Sequence, residues 1–298
     1  MYREKHNNMK KLITILILTA CACLPSFSQT TEYSRSGSVW FEVRNDTANP
    51  CRYTEDNKIY QAEREFTFGF HYYDPQGKER YMRYERIPKQ GYELTETGDT
   101  NTYTYYKADF SFSDVFNPKD SCINRYEVEV LCTAKPFSKD YNQTVEAFHF
   151  LYDDQQSRWP LSYSGIVENE RNLWMHPIRN CLFRILELNP FPYIQYPIEQ
   201  GKNWKWKLTI GSHWGDERWK TWTGKIVNKY KYKITDTDCE IVTPMGTLSC
   251  VKVEAVAKSR IGKTYLTAYY NDTYGFVKMD NTNIDGSRIV IDLVGVNF

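Results

Sequence analysis

The sequence has no excess of charge of either sign: 38 lysines and arginines stand against 37 aspartates and glutamates, for a formal net charge of +1. Basic residues are interleaved with acidic and aromatic ones, whereas a nucleic-acid footprint gathers them on one stripe, so no nucleic-acid partner is expected. Histidine is scarce, with five in the chain. No two lie close together and no Cys-x-x-Cys occurs, which excludes the ligand spacings of zinc motifs. Ser162-Tyr163-Ser164-Gly165 lacks the glycine ahead of the serine that a nucleophile elbow requires, and glycine-rich phosphate loops are absent. Flexible or proline-rich linkers, charge runs, low-complexity tracts and internal repeats are missing as well. No catalytic residue, metal or cofactor is assigned on these grounds.

Long hydrophobic runs are also lacking, except Leu12 to Leu24, which is too short to cross a bilayer as a helix. Basic Lys10-Lys11 precede it, so residues 1–28 read as a targeting segment, with Met9 as a candidate start. Two processing sites compete. Ser26-Phe27-Ser28 places small residues three and one before Gln29, whereas Leu18-Thr19-Ala20-Cys21 resembles a lipobox. The small-residue rule favours cleavage before Gln29, and parity agrees, since six of the eight cysteines would remain. The expectation is an exported chain, periplasmic or outer-membrane-associated, secreted, or lipid-anchored at Cys21, with no transmembrane segment after processing. Export would lower the formal charge from +1 to about −2 and leave enough chain for one large β domain or two smaller ones.

What the sequence does have is aromatic residues, and six of its eight tryptophans fall between Leu173 and Trp222. After a turn at Met175-His176-Pro177, Ile178, Leu182, Ile185 and Leu186 recur at helical spacing. The prolines of Asn189-Pro190-Phe191-Pro192 stop that helix near Leu188. Beyond the stop the period becomes two: Trp204, Trp206 and Leu208 alternate with lysines, as in a strand with one buried face.

Ahead of this stretch, the segments 39–44, 65–73, 80–86, 102–112, 126–133 and 143–153 read as strands at hairpin spacing. After it come 225–235, 239–243, 246–259, 263–270, 276–281 and 288–296, a meander with a turn expected at Asp236-Thr237-Asp238. Such a sheet needs its edges paired, covered or closed. The fold class expected is therefore all-β, an antiparallel meander forming an open or closed barrel with one short helix across its mouth. The division expected is a leader at 1–28, an N-terminal β region at 29–172 and a C-terminal meander at 173–298, unless the last two form one continuous β domain.

Cysteines in an exported chain can pair. Cys239 and Cys250 flank the hairpin turn at Thr243-Pro244-Met245-Gly246-Thr247 and are the disulfide candidate. A two-residue turn would set them opposite each other, but Pro then Gly better fits a type I turn with a glycine bulge, which puts Cys239 opposite Val251. Cys51, Cys122, Cys132 and Cys181 read as small buried hydrophobes.

The second half resembles a family of exported bacterial β proteins known as domain of unknown function 3108. The resemblance rests on Pro197-Ile198-Glu199-Gln200-Gly201-Lys202-Asn203-Trp204, on the hairpin from Thr243 to Val253, and on Tyr274-Gly275-Phe276-Val277-Lys278. Leu248 stands where that family usually has an aromatic. The resemblance spans roughly Pro197 to Val294. It implies a periplasmic β fold similar to lipoprotein carriers, and no catalytic residues.

His149 projects with Ala147 and Leu151 and is read as structural. The candidate ligand-binding residues are His213, Trp214, Glu217, Trp219 and Trp222, because loops on rigid sheets are where ligands bind. The favoured function is a non-enzymatic binding or envelope-assembly protein for an apolar or amphipathic ligand, with a lipid, a glycan or an envelope protein as partner. The second reading is carbohydrate binding or glycan hydrolysis through exposed tryptophans. The third is a purely structural module.

Overall fold

The computed structural model describes residues 57–94, 100–117, 122–131, 144–152 and 161–298. The leader, the strand expected at 39–44, and Cys21, Cys51 and Cys132 lie outside the described residues.

In chain order the first strands are β1 (Glu65–Tyr73), β2 (Glu79–Leu94), β3 (Thr100–Ser113), β4 (Cys122–Leu131), β5 (Thr144–Tyr152), β6 (Leu161–Glu168), β7 (Asn172–Met175) and β8 (Tyr193–Gln195). The meander follows as β9 (Asn203–Gly211), β10 (Lys225–Thr243), β11 (Gly246–Ser259), β12 (Gly262–Asn271), β13 (Gly275–Thr282) and β14 (Arg288–Val296). They form one antiparallel sheet in the order β8-β7-β6-β5-β4-β2-β1-β14-β13-β12-β11-β10-β9, with β3 paired to β2. The all-β antiparallel class is as expected, and the sheet is open.

Its two end strands, β8 and β9, are consecutive in the chain. The sheet curls until they face each other through side chains: the Tyr193 ring lies 5.4 Å from Trp204 and 5.5 Å from Tyr232. Trp174 of β7 lies 6.3 Å from Trp206 of β9. Large aromatics thus cover both edges from within, one of the ways a sheet avoids an unpaired, sticky edge. Trp204 and Trp206 point inward, with 6% and 4% of their surface exposed, while Lys205 faces water and Lys207 is half-buried.

The interior is filled by a 3-10 helix, Cys181–Leu188, rather than by the one-faced α-helix expected at Ile178–Leu188. Seven of its eight residues are buried, Arg184 being the exception. Only Arg184 reaches toward solvent, so burial extends well beyond a single apolar stripe and takes in Glu187. The tighter winding also lets eight residues span about 16 Å instead of about 12 Å. Asn180 caps its start by accepting from the Cys181 N–H. Phe183 packs on Phe70, Tyr126 and Phe150, with ring centroids 4.9, 5.6 and 5.9 Å away. At the far end the Leu188 carbonyl accepts from Asn228 Nδ2 and Thr264 Oγ1, both at 2.8 Å.

Three sequence expectations change. Asp236-Thr237-Asp238 is not a turn; β10 runs through it as one strand of 19 residues, with register irregularities on either side of Asp236 absorbing the polar stretch. The hairpin turn is the two-residue form, Thr243 pairing with Gly246, so Cys239 lies directly opposite Cys250 rather than Val251. Thr243 Oγ1 favours the tight form by donating to the Gly246 carbonyl at 2.9 Å and accepting from the Met245 N–H at 3.1 Å. Finally, β6, β7 and β8 occupy a region where no strands were expected.

The segment ahead of β1 is tied to β6 by Glu168, whose carboxylate accepts the main-chain N–H groups of Lys58, Ile59 and Tyr60 at 2.8, 3.0 and 2.9 Å. Tyr60 in turn accepts from the Phe276 N–H at 3.2 Å. Gly275, at φ +76°, is required there twice over: the backbone is left-handed, and a Cβ would overlap the Tyr60 hydroxyl.

Candidate ligand site at the mouth of the sheet

The loop from Ser212 to Gly224 joins β9 to β10 and carries every candidate ligand-binding residue. Its tip is pinned by Arg218. The guanidinium grips the Asp216 carboxylate through Nε at 2.9 Å and a terminal nitrogen at 2.7 Å, and donates to Asp109 Oδ1 at 2.8 Å and the Phe110 carbonyl at 2.9 Å. It also lies 3.8 Å above the Phe110 ring. The hydrogen bond from Arg218 holds Asp216 below the usual carboxylate range. At Asp109 partial burial opposes ionisation, but the bonds from Arg218 and the Phe110 N–H outweigh it and the net shift is downward.

This clamp folds two of the tryptophans inward. Trp219 is 7% exposed and stacks on Phe110 at 6.3 Å, and Trp222 is 9% exposed against Gly215. Glu217 is exposed at the tip and touches none of the other candidates in any described hydrogen bond. His213 is exposed and Trp214 half-buried, with ring centroids 5.2 Å apart.

Two arginines that sequence reasoning did not single out complete the cluster. Arg179, just before the helix, and Arg184, its one partly exposed residue, place their guanidinium carbons 5.4 and 5.8 Å from the Trp214 ring centre. Arg184 also donates to the His213 carbonyl at 2.6 Å. Partial burial first, then these two cations, lower the pKa of His213. Nothing local in the sequence joins positions 179, 184 and 214; the inward turn of the helix does.

Behind Arg179 lies a buried pair. His176 Nδ1 donates to the Pro177 carbonyl at 3.1 Å and Nε2 accepts from Arg179, so the ring is neutral. Burial, with Arg179 beside it, pushes its pKa well below the ordinary histidine value. Glu187 lies 3.5 Å from Arg179 Nε and 3.8 Å from His176 Nε2; burial raises its pKa although Arg179 acts the other way. The cavity that His176 borders with Tyr126, Phe148 and Met279 measures about 20 Å³, room for a single water.

Cys181 opens the helix at φ +49°, and burial raises its thiol to about 12, so it is chemically quiet. His149 sits buried on the other face of β5, opposite Glu127 and 3.4 Å from Glu129. No cluster of three potential metal ligands occurs among the described residues.

No family model and no curated protein matches the chain. Among solved structures it is similar to an exported protein with a YmcC-like fold from Bacteroides fragilis, at 12% identity over 80% of this chain and 98% of that one, with a TM-score of 0.30. A lipoprotein from Parabacteroides distasonis is similar at 13% identity over 80% and 97% of the two chains, with a TM-score of 0.28. The lipoprotein YmcC from Escherichia coli is similar at 9% identity over 80% and 89%, also with a TM-score of 0.28.

Proposed function

We propose that the chain is a non-enzymatic protein of the cell envelope that binds an amphipathic ligand bearing an anionic group. The observation that carries the reading is one half-buried indole, Trp214, flanked by the guanidinium groups of Arg179 and Arg184. An indole face offers apolar contact area, and an arginine beside it offers paired donors to a carboxylate or phosphate. The helix Cys181–Leu188 packed inside the sheet supports placing the ligand at the mouth, and the leader expected at residues 1–28 supports the envelope. Binding is favoured over catalysis because the firmly held carboxylates at the loop, Asp216 and Asp109, are engaged by Arg218, and the thiol of Cys181 is quiet.

Lauryl phosphate titrated below its micellar concentration, followed by calorimetry, tests this. Trp214→Ala and Arg184→Gln should each weaken binding about tenfold, the loss of roughly 1.4 kcal/mol of contact. Unchanged affinity in both variants, or equal affinity for an uncharged lauryl glycoside, overturns the reading. The sugar-platform alternative has little support, since Trp219 and Trp222 are folded inward.

A further inference from the structure

The alternation that turns Trp204, Trp206, Tyr230 and Tyr232 inward turns lysines outward, and the register of four strands brings them together. Lys207 pairs with Lys229, Lys229 with Lys258, and Lys258 with Lys263, an unbroken row across β9, β10, β11 and β12. With strands about 4.8 Å apart, the row spans about 14 Å. Beside it Lys205 pairs with Lys231, and one step further Lys233 lies between Asn203 and Glu254. All but Lys207 are exposed. Among the described residues none of these seven lysines takes part in an ion pair; the one carboxylate in these rows, Glu254, is held by Lys252 at 2.9 Å. Interleaving along the chain hid this patch, because the aromatics that alternate with the lysines of β9 and β10 face inward.

Like charges set directly opposite on a sheet repel, so the six lysines paired with one another weaken the fold unless something anionic covers them. Exposed Tyr265 (48%) and Val227 (45%) stand among them, an aromatic and an aliphatic group at the same surface. We propose that this lysine face docks the protein onto the anionic headgroups of a lipid membrane. Lysine supplies point charges suited to a two-dimensional array of phosphates, without the planar fork that arginine uses to read one group bidentately. A tyrosine amid the charges suits the headgroup boundary, where a ring with a polar tip is at home. The choice of lipid over nucleic acid rests on the export reading; the mouth at Trp214 takes no part.

The test is co-sedimentation of the mature chain with vesicles of phosphatidylcholine, alone or mixed with phosphatidylglycerol. Binding is expected only to the mixed vesicles, falling steeply as salt shortens the reach of charge. The double variant K229E/K258E should lose at least tenfold in affinity while keeping the parent's far-UV circular dichroism; K229Q/K258Q, the milder change, should lose less and serves if the first misfolds. Both lysine variants should bind lauryl phosphate like the parent, which separates failure of this proposal from failure of the mouth site. Undiminished binding in both lysine variants overturns the proposal, as does equal binding to pure phosphatidylcholine. Tighter binding to heparin or a DNA duplex than to mixed vesicles overturns it in favour of a soluble polyanion.

Discussion

Replacing Trp206 by alanine tests whether the aromatic seam between the sheet's two ends holds the fold together. The ring is 4% exposed, stacks on Tyr230 at 4.2 Å with an 18° interplanar angle, and meets Phe191 edge-on at 5.5 Å. Its Nε1–H donates to the Tyr232 hydroxyl at 3.1 Å, and that hydroxyl donates to the Phe191 carbonyl at 3.0 Å. A buried aromatic removes about 150–250 Å² from water, which at about 25 cal/mol per Å² is worth about 4–6 kcal/mol. Alanine keeps a little of that area, and core tryptophan truncations cost about 3–5 kcal/mol. For a chain of this size a loss of about 4 kcal/mol lowers the melting temperature by roughly 8–16 °C. Phenylalanine at the same position keeps most of the stacking and loses the N–H donor, so its cost should be closer to about 1 kcal/mol. Lys205→Ala and Lys207→Ala, on the opposite face, should stay within about 0.5 kcal/mol of the parent. Urea unfolding followed by far-UV circular dichroism is the assay, since removing an indole compromises fluorescence. An unchanged midpoint for Trp206→Ala, with a large loss at either lysine, would refute the assignment of faces.

Glu146 is fully buried, and neither carboxylate oxygen has a hydrogen-bond partner among the described residues; burial raises its pKa well above 4.5. The folded carboxyl keeps its proton while the unfolded one ionises, so this stability is complete below about pH 4.5 and falls as pH rises toward the folded value. Glu146→Leu should therefore gain about 1–3 kcal/mol at neutral pH and flatten the pH dependence of melting, whereas parallel pH curves for parent and variant would show that the carboxyl is ionised in the fold. Cys239 and Cys250 stand opposite each other as thiols, and burial, with Cys239 beside it, raises Cys250 to about 12. Incubation with oxidised glutathione should join them, each pair giving up two hydrogens as the reagent is reduced to two thiols, and should block alkylation of both; full labelling of Cys239 afterwards would show that the pair does not close.

Strands were legible where one face meets water. β1, β11 and β14 begin and end where the alternation in the sequence does, and Trp204, Trp206 and Lys205 face as their spacing implies. β7 and β8 were not legible because all their residues are buried, which erases the period-two signal on which such readings depend. The helix was legible as an interruption between prolines, but not as a 3-10 helix, since its winding answers to the space inside the sheet rather than to its own pattern. The mouth was half legible. Trp214 and His213 lie on a loop that could be read, while Arg179 and Arg184 reach the indole only through the course of the helix. The lysine row required cross-strand register, and one-residue errors in register would have scattered it.

The pairing of β1 with β14 has a consequence for how the molecule is made. This seam lies in the middle of the sheet, yet it joins the two ends of the described chain: the Glu65 N–H donates to Asn297 Oδ1 across 232 residues of sequence. The meander from β9 to β14 can zip by neighbouring hairpins, each closing a short loop, whereas the central seam must wait for its last strand. Until then the nascent chain carries an open edge at β1 and a half-built aromatic interior. In that state the chain is exposed to mispairing, and the sheet can complete its middle only after Val296 has arrived.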